Sequence, residues 1–173
     1  MKLTAKATLG VLGMLALGAA QAPAQISCNT NGCPLSDTAK VTVNTVLRLT
    51  LSQGATLLTS PNEAAYDVGF QLDNGPVAGV KANRSWSLKV SANAGTWTGA
   101  NGANASKAAS DLQWATSSGG SYTGLTGSPS NLLTGATGTG NTSQQLYYKT
   151  LWSYSSDTPG DYSLVVVYTL SAP

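Results

Sequence analysis

The chain has 173 residues, of which 9% are charged, with nine Lys or Arg, seven Asp or Glu and no His. An ordinary globular domain carries about 25% charged residues, so this surface must be covered by Ser, Thr, Asn, Gln and Gly, and it cannot gather phosphates by counterion release. Nucleic acid is therefore a poor partner. The missing His also removes Ser-His-Asp chemistry, and with only two Cys it argues against a zinc or copper centre.

The N-terminus has the make-up of an export signal. Lys2 and Lys6 provide a positive start, Leu9 to Ala20 an apolar stretch, and Ala20-Gln-Ala22-Pro-Ala24 the small residues of a cleavage site. The stretch is too short to cross a bilayer, which takes about 20 apolar residues, so no transmembrane anchor is expected. Cleavage is expected after Ala22 or Ala24, which makes residues 1–24 the signal peptide. Gln25-Ile26-Ser27 before Cys28 lacks a lipoprotein box, and no Gly-cleavage site of the type IV pilin kind precedes the apolar run. Without Lys2 and Lys6 the exported chain is formally neutral. At roughly 150 residues it is one domain by length.

Cys28 and Cys33 sit in Cys28-Asn-Thr-Asn-Gly-Cys33, and export places them where disulfides persist. Closing so small a loop is worth roughly 2 kcal/mol on the loop-entropy model. The bridge is expected to staple residues 25–37 locally. The spacing departs from the Cys-x-x-Cys redox motif.

From residue 38 to 173 the chain alternates as strands do and sustains no helical period. Ala39, Val41 and Val43 alternate with Lys40, Thr42 and Asn44; the phase slips at Thr45-Val46, and Leu47, Leu49 and Leu51 take over the apolar face. A one-residue slip flips every side chain, so the pattern predicts two half-strands joined by a bulge or bend. Tyr66, Val68, Phe70 and Leu72 predict the next strand, ended by a turn at Asp73-Asn-Gly-Pro76. Trp86, Leu88 and Val90 predict a half-buried strand with Ser87 and Lys89 on its wet face. Residues 92–140 are rich in Gly, Ala, Ser, Thr and Asn, interrupted by strand signals at Thr96-Trp97-Thr98, Asp111 to Ala115 and Leu132-Leu133. Gly135-Ala-Thr-Gly-Thr-Gly140 is a flexible loop without the Lys-Ser/Thr of a phosphate cradle. Leu146, Tyr148, Thr150, Trp152 and Tyr154 predict a strand over Gln144 to Tyr154. Eight to ten short strands between turn clusters predict an all-β fold, an antiparallel, Ig-like β-sandwich.

The last stretch, Asp157-Thr-Pro159-Gly160-Asp-Tyr162-Ser-Leu-Val-Val-Val-Tyr168-Thr-Leu170, is the most strongly β-forming. A Pro-Gly turn feeds an uncharged, β-branched and aromatic run, so Leu164 to Leu170 is expected to be a strand. Left at an edge it would recruit another chain. Either it lies centrally with both faces covered, which the reading favours, or its free edge is meant for a partner subunit. Tyr162, just after Pro159 and Gly160, has the position of a tyrosine corner whose hydroxyl bonds upstream backbone.

Nothing in the chain has the pattern of a catalytic or cofactor site. Asp37, Glu63, Asp67, Asp73, Asp111, Asp157 and Asp161 show no spacing of a shared acid–base pair and no Asp-x-Asp run for calcium; turn and surface roles suit them better. No metal, no cofactor and no enzymatic activity is expected. Trp86 and Trp152 fall on alternating strand faces and read as core. Trp97, Trp114 and Tyr122 lie in the Gly/Ser/Asn-rich region, where exposed rings would stack on sugars. The alternative is that they plug the ends of the sandwich.

Two separated motifs are similar to a known family. Trp86-Ser-Leu88 resembles a Trp-x-Leu element, and Tyr162-Ser-Leu-Val-Val166-Val-Tyr168-Thr-Leu170-Ser-Ala-Pro173 resembles the distal Tyr-x-x-x-Leu-x-Trp-x-Leu ending of bacterial WxL domains. Tyr168 replaces the second tryptophan, and Val166 stands for the usual Leu. WxL domains are secreted β-rich domains that attach non-covalently to the cell wall. The ending also resembles the closing strand of secreted pilin-like and spore-coat-type sandwiches.

The resemblance implies a protein of the bacterial cell surface or envelope that binds cell-wall polymer or glycan, with Trp86, Trp97, Trp114, Tyr122 and Tyr168 as the residues that would carry binding. The alternative is a subunit of a fimbrial or filamentous assembly of surface proteins. There the last strand, or the N-terminal segment near Cys28 to Lys40, would complete a neighbour's sheet.

Overall fold

The computed structural model describes residues 27–173; the expected signal peptide lies outside them. The chain divides between Thr42 and Val43 into two units. In the first, Cys28 and Cys33 are joined in a disulfide, and residues 34–42 form no helix or strand. The half-strand expected at Ala39 to Val43 therefore does not form.

The second unit is all-β and sandwich-like. Its strands are β1 (Leu47–Leu51), β2 (Phe70–Ala82), β3 (Trp86–Ala92), β4 (Thr98–Ala100), β5 (Leu112–Ala115), β6 (Thr123–Gly124), β7 (Ser130–Gly135), β8 (Gly140–Leu151), β9 (Asp161–Ser163) and β10 (Val166–Ser171). One sheet has the order β1-β2-β8-β5-β6, a second β10-β3-β7, and β4 pairs with β9. Every pairing between these strands is antiparallel.

Two sequence expectations fail at the start of β2. Residues 66–68 are not strand: Glu63–Val68 is a short helix, α1, capped by Asn62, whose side chain accepts from the Ala65 backbone N–H at 3.0 Å. Gly69 ends it at φ 80°, a left-handed conformation that favours glycine. The period-2 pattern at Tyr66 and Val68 was outweighed by this pair of caps. Likewise Asp73-Asn-Gly-Pro76 makes no chain reversal. β2 runs straight through it, and the register against β8 shifts between Asn74 and Val77. Pro76 has no N–H to offer the ladder, so the strand bulges there, and the Gln145 side chain donates to the freed Gly75 carbonyl at 2.7 Å.

The core forms where the two large sheets face each other. Ala78, Val80, Leu112, Trp114, Leu146 and Tyr148 come from the first sheet, and Trp86, Leu88, Val90, Ala92 and Leu132 from the second. Trp86 packs flat against Gly135, where an added Cβ would lie 2.3 Å from the indole. This is why a glycine stands opposite the tryptophan in the β3–β7 pair.

The last strand corrects the favoured expectation. β10 pairs with β3 alone and stands at the edge of its sheet. Val166, Tyr168 and Leu170, opposite the buried Ala92, Val90 and Leu88, turn inward but are only half-buried. The physical reason is that among the described residues no strand pairs with the other side of β10, so one flank of the sandwich is open.

Candidate functional site

The flank lies between the β1 edge of one sheet and the β10 edge of the other, whose backbones approach within 8 Å of each other. Leu47, Leu49 and Leu51 pair with Ala82, Val80 and Ala78, and cross-strand partners share a face, so these leucines point to the core side. Yet Leu47 is 36% and Leu51 38% exposed. Across from them, β10 presents a backbone edge with no charge and no proline. β1 carries Arg48 as its second residue, and β7 is kinked by a register shift between Leu88 and Lys89 of its partner. β10 is thus the edge least protected against strand addition.

The flank deepens into a cavity of about 860 Å³. Its walls come from Leu51 to Pro61 after β1 and from Thr158 to Val166, with Trp97, Trp152, Tyr148 and Tyr168 lining it. The Trp97 and Trp152 indole N–H groups are buried and make no hydrogen bond. The Tyr148 and Tyr168 hydroxyls bond each other at 2.6 Å. Burial raises both above the ordinary tyrosine value, so both are neutral at physiological pH.

Beside the cavity, Lys107 is 3% exposed. Its Nζ donates to the Leu151 carbonyl at 2.6 Å and to Asp157 Oδ1 at 2.9 Å, with Asp111 Oδ2 at 3.6 Å. It also lies 4.4 Å from the centre of the Trp152 ring. Asp157 Oδ2 accepts from the Ser153 N–H at 2.8 Å. Lys107 and Asp157 thus tie the β4–β5 connection to the β8–β9 connection, and the pair is fully satisfied.

Of the five aromatic residues put forward for wall or glycan binding, three are buried, and Tyr122 and Tyr168 are half-buried. Trp86 is 4%, Trp97 4% and Trp114 8% exposed, each drawn inward because its strand or loop turns that position to the core. Trp86 donates to Thr139 Oγ1 at 3.1 Å. Tyr122 is half-buried on β5's flank and donates to the Ser118 carbonyl at 3.1 Å. Only Trp97 and Tyr168 of that set line the cavity; Trp86, Trp114 and Tyr122 do not.

Tyr162 also lines it. Its hydroxyl donates to the Thr158 carbonyl at 2.7 Å and accepts from the Asn104 N–H at 3.1 Å. Gly160 sits at φ 153°, where a Cβ would lie 2.2 Å from the Ala103 nitrogen, so no other residue fits this turn. Pro159 and Gly160 make the bend that brings β9 beside β4.

Sequence reasoning missed Lys107, which stands alone in a run of Ala, Ser and Asn with nothing to mark it. It also missed the open flank. The one signal for that was the clash between the strand pattern at Ala39 to Val43 and the edge problem of the last strand.

No family model and no curated protein matches this chain. Among the described residues no helix is long and apolar enough to cross a membrane.

Proposed function

We propose that this is an exported, non-enzymatic bacterial surface protein that assembles with further subunits by strand addition at β10. The observation that carries this is the flank at β10: an uncharged edge to which no strand pairs among the described residues, beside Leu47 and Leu51, which face the core side yet stay partly exposed. An added strand would supply backbone partners to β10 and remove Leu47, Leu49 and Leu51 from water. The nearly charge-free sequence suits stacking of subunits without self-repulsion. The pilin-like resemblance of the last strand points the same way.

The test is direct. Protein beginning at Gln25, examined by light scattering and electron microscopy, is expected to form polymers as its concentration rises. A strict monomer at every concentration would end the proposal.

Attachment to cell-wall polymer or glycan, as in the WxL-like reading, is the second proposal. What favours it is the aromatic end of the cavity, where Trp97 and Trp152 hold unpaired N–H donors beside Tyr162. Soluble oligosaccharides are then expected to change the tryptophan fluorescence, and the protein to pellet with isolated cell walls. The burial of Trp86, Trp97 and Trp114 ranks this reading below assembly.

A further inference from the structure

Resting on the assembly reading, we infer that the strand added at β10 is residues 35–46 of a second copy of this chain, with Ala39, Val41 and Val43 turned inward over the exposed leucines of β1. The first support is pattern. Ala39, Val41 and Val43 alternate with Lys40, Thr42 and Asn44, and yet residues 34–46 form no strand. The end of the segment is held in its own copy by Asn83, which donates to the Asn44 carbonyl at 2.7 Å and exchanges bonds with the Val46 backbone. Val41 is 87% and Val43 76% exposed. A sequence with the pattern of a half-buried strand stands wet, and an edge with the composition of a central strand stands unpaired.

The second support is fit. β10 has six residues, roughly 20 Å of ladder, and a segment of twelve more than spans it. Pro34 has no N–H and marks where ladder pairing must stop on the N-terminal side. Small and medium side chains at 39, 41 and 43 suit a slot already walled by leucine and tyrosine. In a repeating assembly each copy gives one segment and receives one, so the contact is heterologous and propagates.

The experiment uses the chain from Gln25 with Val41→Asp and Val43→Asp together, and a fluorescent peptide of residues 35–46. Both substitutions fall on exposed side chains, so the circular dichroism spectrum is expected to stay as in the unaltered chain. The unaltered chain should polymerise and the variant should stay monomeric. The variant should still bind the peptide, and a peptide carrying both Asp substitutions should bind on the order of 100-fold more weakly. A variant that polymerises as before would overturn the choice of donor while leaving assembly by another strand standing. Failure of the peptide to bind the variant would overturn it as well. An unaltered chain that is monomeric and rejects the peptide, beside a variant that accepts it, would show each molecule filling its own flank. That result overturns both the second copy and the assembly reading.

Discussion

Tyr148 of β8 and Tyr168 of β10 meet hydroxyl to hydroxyl at 2.6 Å, the one polar bridge described between the inner faces of the two large sheets. Each oxygen satisfies the other where little water reaches. Tyr168→Phe strands the Tyr148 hydroxyl and is expected to cost about 1–3 kcal/mol, the penalty of a buried unpaired polar group. Replacing both tyrosines by Phe should cost less than the two single changes added together. Urea unfolding of the four proteins in this cycle checks the coupling; simple additivity would mean the bond contributes nothing.

The same pair sets an alkaline limit. Burial raises both hydroxyls above the ordinary tyrosine value, which is about 10 in an unfolded chain. Below that pH both states hold their protons and stability is level. Above it the unfolded chain releases protons that the fold retains, so stability falls as pH rises. Tyr66, Tyr122 and Tyr154 are shifted in the same direction, so the double Phe variant should soften the fall without removing it. Melting temperature followed from neutral pH to strongly alkaline buffer measures this, and an unchanged slope would contradict it.

Lys107 and Asp157 have side chains 1% and 5% exposed. Lys107→Met leaves the Asp157 carboxylate buried without its cation and is expected to cost about 3–5 kcal/mol. Lys107→Met combined with Asp157→Leu should recover much of that loss, because no charge is then left stranded. Denaturant midpoints of the two variants decide it.

Trp86 is a packing residue. Trp86→Ala should cost about 3–5 kcal/mol through the cavity it leaves. Gly135→Ala should shift the ring and cost about 1–3 kcal/mol, with a changed near-ultraviolet circular dichroism signal. If either variant kept full stability and lost only wall binding, Trp86 would be a surface platform after all.

Thr169 is exposed on the outer face of β10. Thr169→Lys should leave stability within about 0.5 kcal/mol and suppress polymer formation, since charge is the usual guard of a free edge. Polymers from this variant as abundant as from the unaltered chain would point to a different interface.

Strand content was legible wherever alternation and burial agreed. Trp86, Leu88 and Val90, and likewise Leu146, Tyr148 and Thr150, point inward as their spacing requires. Local chemistry was harder. The alternation at Tyr66 and Val68 lost to the caps Asn62 and Gly69, and the turn signal at Asp73 to Pro76 became a bulge, because β8 offers a continuous partner on either side of it. Both outcomes depend on what lies across the sheet.

The amino-acid order alone determined that this chain is a β protein: a short-period apolar pattern, few charges, and Pro and Gly where strands must stop. It also placed Tyr162 beside its bend, since that hydroxyl bonds a carbonyl only four residues away. Tertiary structure alone decided that the last strand is an edge, that Lys107 is enclosed, and that Trp97 and Trp114 are buried. Those facts depend on which distant segments pair and which flank is left without a neighbour. Sequence spacing carries no term for a strand that is missing.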